Sequence, residues 1–186
     1  MSVAAGEIRF DTQGRETAAP RSRGSSARRL DAWFLLVFLA CVAALAAALV
    51  SQHRFGMDPC PWCTLQRAIF AVIGLAALLG LAWRGPVGRR VSAVLVLLLA
   101  LCGVAASLWQ HFQAAASASC NLTFADRLMN ATRLPTLLPE VFEARATCAD
   151  AAASLLGISY DFWSLALFAL IAVAAIVMLR TARRRA

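Results

Sequence analysis

Four stretches of this chain, Ala32–Val50, Leu65–Trp83, Val91–Gln110 and Phe162–Leu179, are overwhelmingly apolar. Each approaches the ~20 residues that a helix needs to cross a bilayer. The first, third and fourth contain no charged residue, and the second contains only Arg67, close to its leading end. Inside hydrocarbon a backbone must satisfy its own hydrogen bonds, which leaves helices or the strands of a closed barrel. None of the four runs alternates as barrel strands do. The expected fold is therefore an all-α integral membrane protein, a four-transmembrane-helix bundle with two loops on its outer side. With 61% of its residues apolar and 15% charged, against about 25% charged in soluble domains, the chain is not an ordinary water-soluble enzyme.

The formal charge of +8 would by itself suggest nucleic acid, but its placement says otherwise. Every one of the 18 basic residues is Arg, and thirteen of them fall in three segments. The head to Asp31 holds Arg9, Arg15, Arg21, Arg23, Arg28 and Arg29; the link between spans two and three holds Arg84, Arg89 and Arg90; the tail holds Arg180, Arg183, Arg184 and Arg185. With four spans all three segments share one side, which the positive-inside rule makes the cytoplasm. The charge is thus an orientation signal, and the expected partner is the lipid bilayer, with no nucleic acid. The chain divides into a disordered cytoplasmic extension (1–31), a first outer loop (51–64), a cytoplasmic link (84–90), a second outer loop (111–161) and a cytoplasmic tail (180–186). A signal peptide competes for the first span, because the small residues at Ala46–Ala48 mimic a cleavage site. Against it, the polar head is long for a signal, and losing the span would put the Arg-rich ends on opposite sides.

The six cysteines divide by compartment. Cys41 and Cys102 lie inside spans one and three as small apolar fillers. Cys60, Cys63, Cys120 and Cys148 all fall in the outer loops, which in a bacterial inner membrane face the periplasm, where disulfides persist. Three pairings are open in principle; Cys60 and Cys63 are held close by sequence, which leaves Cys120 with Cys148 as the natural second pair. Structural staples are the competing reading of both bridges, but a bridge spanning two residues constrains little of the unfolded chain and suits reversible redox chemistry better. A zinc site lacks a second ligand pair of suitable spacing, so no metal is expected.

The first pair sits in Asp58-Pro59-Cys60-Pro61-Trp62-Cys63-Thr64-Leu65-Gln66-Arg67, which runs straight into the second span. Proline is accepted in the first turn of a helix, so Pro61 makes Cys60 the expected cap. Cys63 and Arg67 are then i, i+4 neighbours near the positive end of the helix dipole. That environment favours a thiolate, or a reduced and negatively charged acceptor. An arginine near a span is costly enough to suggest function, although snorkelling at the boundary is the bland reading. A dithiol at the lipid boundary beside a cation invites a lipid-soluble electron acceptor, and a quinone fits by polarity and redox capacity.

These residues resemble the bacterial disulfide bond formation protein B (DsbB) family. The resemblance covers most of the chain after the head: Gln52-His53, then Cys60-Pro61-Trp62-Cys63, Gln66-Arg67, the second-loop cysteines, and Leu156-Gly157-Ile158 with Trp163-Ser164. It implies a quinone-dependent protein-disulfide oxidoreductase that reoxidises a periplasmic DsbA-type thiol oxidase, with ubiquinone or menaquinone as acceptor. By resemblance Cys60 and Cys63 are the quinone-linked pair, Cys63 is nearest the quinone and Arg67 contacts it. Cys120 matches the cysteine attacked by DsbA, and Cys148 its partner. His111, in Trp109-Gln110-His111, looks like a family histidine near the quinone region, and reads equally well as a simple interfacial histidine.

Between Cys120 and Cys148, the residues Leu134, Leu137, Leu138, Val141 and Phe142 recur with helical spacing and predict a short amphipathic helix on the outer surface, kinked or shortened by Pro135 and Pro139. Two other functions compete: a haem-binding four-helix cytochrome using His53 and His111, and a non-catalytic scaffold with structural disulfides.

Overall fold

The computed structural model describes residues 23–83, 85–114, 123–147, 154–155 and 158–183. Four long helices dominate: α1 (Arg23–Phe55), α2 (Pro61–Ala82), α3 (Pro86–Trp109) and α7 (Tyr160–Arg183). All four are long and apolar enough to cross a membrane. α2 packs on α1 and α3, α3 packs on α7, and a lighter α1–α7 contact completes the bundle. On the outer side lie three short helices, α4 (Phe124–Thr132), α5 (Leu134–Leu137) and α6 (Pro139–Phe142). A minimal antiparallel ladder, β1 (Ser154–Leu155) with β2 (Ile158–Ser159), leads into α7.

Small residues face inward and large aliphatic ones outward. On α3 the buried set is Gly88, Ser92, Ala93, Val96, Ala100, Gly103, Ala106 and Ser107 together with Arg89, at helical spacing, while Leu95, Leu98 and Leu101 point out. Hydrocarbon gives no hydrophobic drive between helices, so close backbone approach and interlocking shape must hold them. Phe34 lies where a Cβ on Gly80 would stand 2.4 Å from its ring, and Phe168 meets Gly103 in the same way. Phe168 also stacks on Phe70, with ring centroids 4.0 Å apart and planes 5° from parallel. Cys41 belongs to this core, as expected of an apolar filler, whereas Cys102 faces outward from α3.

The helices overrun the apolar stretches, because helical hydrogen bonding does not stop where hydropathy does. α1 starts at Arg23, so the stretch 23–31 is helical rather than part of a disordered extension. Its inner face is anchored by fully buried Leu30 and by an ion pair from Asp31 to the buried Arg89 of α3. α3 likewise begins at Pro86 within the expected link, capped by Gly85 with Pro86 in the first turn, a position that needs no N–H.

The predicted amphipathic helix at 134–142 is not continuous. Pro135 and Pro139 each fall in the first turn of a separate one-turn helix, and Leu138 between them is neither helical nor extended. The apolar stripe splits accordingly: Phe142 is buried, whereas Leu137 and Leu138 are exposed. The longer helix lies upstream. α4 opens with a capping box in which Thr123 accepts from the Asp126 N–H while the Asp126 carboxylate accepts from the Thr123 N–H, and Arg133 closes it in the left-handed region at φ 56°. Ala125, Met129 and Phe142 join Cys60, Trp62, Leu65 and Ala106 in a second, smaller core over the outer end of α2 and α3.

Candidate functional site

Cys60 caps α2, with Pro61 opening the helix as the spacing predicts. Its sulfur accepts from the Cys63 N–H at 3.3 Å, and the two sulfurs stand 2.8 Å apart. Cys60 is fully buried beneath α4 and α6, whereas Cys63 is partly exposed. The pair is thus asymmetric. The first sulfur is shielded by protein, and the second faces a cavity.

Two polar chains meet at that cavity. In the first, Gln66 Nε2 donates to Gln110 Oε1 at 2.7 Å, and Gln110 Nε2 donates to Cys63 Sγ at 3.4 Å. Gln110 begins a π-helical turn, Gln110–Ala114, at the outer end of α3. Such turns alter the facing of side chains and recur at functional sites. In the second, Arg67 is 7% exposed and its Nη1 donates to Gln52 Oε1 at 2.7 Å and to the Val141 carbonyl at 2.9 Å, while its Nη2 donates to the Ala48 carbonyl at 3.3 Å. Arg67 is therefore held from three sides rather than snorkelling to water. Gln52 in turn donates to the Glu140 carbonyl at 3.4 Å.

The cavity has a volume of about 440 Å³, within the range that small-molecule sites occupy. Its walls are apolar side chains of α1 and α7, such as Ala44, Leu45, Leu167 and Leu170, with Phe70 from α2. Its polar lining is Ser51, Asp58, Cys63, Gln66, Arg67, Gln110, Asp161 and Ser164. An apolar body with a polar, hydrogen-bonding head fits such a space.

His111 does not line the cavity. Its Nδ1 lies 2.6 Å from Asp161 Oδ2, its ring packs on Phe112 and Phe162, and the buried Asp161, which also accepts from Ser159, is the group that reaches the cavity. Cys120 and Cys148 lie outside the described residues. The chain just before Cys148 is described, and the Arg145 and Ala146 N–H groups both donate to the Pro59 carbonyl, at 2.9 and 3.3 Å. The second outer loop is thereby strapped to the residue before Cys60. Beside the strap, Arg145 pairs with Glu143 and Glu140, which push its pKa upward, and Glu140 lies near His53.

Sequence reasoning assigned no role to Gln66, Gln110, Gln52 or Asp161. The visible signal was polarity out of place: Gln66 is an uncharged polar residue within an apolar helix, and Gln52 and Gln110 end two others. Their partners lie on other helices, which no local pattern discloses.

The model of the family described as "Disulfide bond formation protein DsbB" matches residues 28–178. Among similar proteins, the disulfide bond formation protein B of Aromatoleum aromaticum is 37% identical over 160 residues, covering 83% of this chain and 93% of that protein. Disulfide bond formation protein B 1 of Pseudomonas aeruginosa is 39% identical over 140 residues, 73% of this chain and 85% of that protein. Disulfide bond formation protein B of Burkholderia pseudomallei is 32% identical over 161 residues, 86% of this chain and 95% of that protein. With the four apolar helices and the cysteine pair at the head of α2, these matches establish that the chain belongs to the DsbB family of disulfide bond formation proteins, multi-pass membrane proteins with a disulfide oxidoreductase role.

Proposed function

We propose that this protein reoxidises a periplasmic DsbA-type thiol oxidase and passes the electrons to a membrane quinone, ubiquinone or menaquinone. The observation that carries the reading is the placement of Cys63 at the polar end of an apolar cavity, beside Arg67, Gln66 and Gln110. In the oxidised resting state, Cys60 is bridged to Cys63 and Cys120 to Cys148. A thiolate of the reduced oxidase attacks Cys120, and Cys148 leaves as a thiolate. Cys148 then attacks Cys60 and releases Cys63 as a thiolate, while the second thiol of the oxidase attacks its own mixed disulfide and releases Cys120. The Cys120 thiolate displaces Cys60 from Cys148, which restores the Cys120–Cys148 bridge and leaves Cys60 and Cys63 as a dithiol. Closing the Cys60–Cys63 bridge then gives up two electrons and two protons, which reduce the quinone to the quinol. Each step exchanges one S–S bond for another and needs an accessible sulfur and a good leaving thiolate.

The asymmetry of the pair suits this order. Cys63 is the sulfur that faces the cavity, so it hands on the electrons, and the strap from Arg145 and Ala146 to Pro59 favours delivery of Cys148 to the other side. Consecutive Cα atoms are about 3.8 Å apart, so the chain two residues beyond Ala146 has little distance to cover. Arg67 supplies positive charge and N–H donors where the acceptor's oxygen would gain electron density. His111 acts through Asp161, which it orients, rather than at the acceptor itself. We place the protein in the bacterial inner membrane with both termini cytoplasmic and the redox cysteines periplasmic, on the strength of its arginine distribution.

The test is turnover of the purified protein with a reduced DsbA-type oxidase and a soluble quinone. Loss of quinone reduction in Cys63→Ser is expected; continued turnover would falsify the relay.

A further inference from the structure

A carboxamide is ambident: one end donates and the other accepts, and nothing intrinsic decides which end faces a given neighbour. At Gln110 the choice is made by Gln66. The Gln66 side chain is buried, and its Nε2 donates to Gln110 Oε1 at 2.7 Å. With its oxygen so engaged, Gln110 turns its NH₂ toward Cys63 Sγ at 3.4 Å. Had the amide faced the other way, an oxygen would point at the sulfur and oppose any negative charge there. The backbone supports the arrangement, since Gln110 is the first residue of the π-helical turn and sits across from the first turns of α2.

We infer that Gln66 and Gln110 form a positioning relay in which Gln66 sets the orientation of the Gln110 amide, and Gln110 donates a hydrogen bond to Cys63 that steadies the sulfur whenever it carries charge. The inference deepens the proposed function, because it rests on Cys63 being a reactive thiol. Gln110 is the residue that touches the reacting atom, and Gln66 acts only through it. Arg67 acts separately from the relay, with hydrogen bonds to Gln52, Val141 and Ala48 that fix its guanidinium to α1 and α6.

The experiment uses the full-length protein in lipid nanodiscs with Cys63 as its sole cysteine. The rate of Cys63 alkylation by iodoacetamide is followed at neutral pH by mass spectrometry. Only the thiolate reacts appreciably, so the rate reports how well the charge is held. Gln110→Leu should slow alkylation about tenfold, the scale of one hydrogen bond to a charged group. Gln66→Leu should slow it about threefold in the parent, a fraction of that loss because the donor remains but is no longer aimed, and should have no effect in the Gln110→Leu background. An effect of Gln66→Leu that is equally large in both backgrounds would overturn the relay. If Gln110→Leu does not fold, Gln110→Glu keeps the shape and the contact with Gln66 while replacing the donor by an acceptor. It should slow alkylation at least as much, and an unchanged rate overturns the proposal. Quinone-linked turnover of the unmodified protein is measured separately, so failure of the redox reading is distinguishable from failure of the relay.

Discussion

Arg67 in the second helix donates to the Val141 carbonyl at 2.9 Å, tying the floor of the cavity to the outer loop across 74 residues of sequence. The same Nη1 reaches Gln52 on α1. One guanidinium therefore holds two helices and a loop together at the point where the acceptor is proposed to bind.

Replacing Arg67 with Ala should do two separable things. It removes charge from the cavity, so the apparent KM for a soluble quinone should rise about tenfold or more, the scale of one charge-assisted hydrogen bond. It also removes a donor from the Val141 and Ala48 carbonyls, and the thermal midpoint should fall. Arg67→Lys should restore part of the midpoint but less of the KM, because a compact ammonium lacks the planar fork with which the guanidinium reaches several acceptors in fixed geometry. Quinone titration with thermal unfolding in detergent checks both, and an unchanged KM in Arg67→Ala would leave the residue purely structural.

Gly103→Ala should cost about 1–3 kcal/mol through overpacking, since its Cβ would stand 2.4 Å from the Phe168 ring, which is itself pinned against Phe70. Gly80→Ala should behave alike against Phe34. Gly85→Ala is the control: nothing lies within 4 Å of its Cβ position and its φ of −72° suits any residue, so its midpoint should not fall.

Asp31→Asn should destabilise the end of the bundle opposite the cavity by about 1–3 kcal/mol. The value sits below that for a fully buried pair because Asp31 keeps 42% of its side chain exposed, while its partner Arg89 keeps only 7%. The loss should vary little with salt, as Arg89 is shielded from solvent. A loss that vanished in high salt would show the pair to be an ordinary surface contact.

The strap on Pro59 is made by backbone donors, so proline tests it cleanly. Arg145→Pro removes the N–H that bonds the Pro59 carbonyl at 2.9 Å, whereas Arg145→Ala removes only the pairing with Glu140 and Glu143. Stopped-flow oxidation of a reduced DsbA-type partner should slow several-fold in the proline variant, through a lower effective concentration of Cys148 at the first pair. It should change little in the alanine variant. Equal rates in the two would dissociate the strap from exchange.

The parts of this protein that local chemistry dictates were legible in its sequence. Four apolar runs specify four helices, and a proline directly after a cysteine specifies where α2 begins. The capping box of Thr123 and Asp126 was equally readable as the start of α4, although the apolar stripe at Leu134–Phe142 drew attention to a helix that two prolines divide. What could not be read is whatever depends on packing between distant segments. Gln66 and Gln110 are 44 residues apart and meet because α2 lies against α3 and a π-helical turn re-aims the second. Arg67 stood out as a misplaced charge, yet it donates to the main-chain carbonyls of Val141 and Ala48, which have no signature in an amino-acid sequence.

The sulfur of Cys60 is also the cap of α2, accepting the Cys63 N–H. A cap made from serine or aspartate keeps one chemical form, but this one changes charge and bonding when its thiol is oxidised or released. The first turn of a membrane helix is thus built on an atom with more than one oxidation state. Deuterium uptake at the Cys63 amide is accordingly a gauge of oxidation state, readable without any dye or substrate.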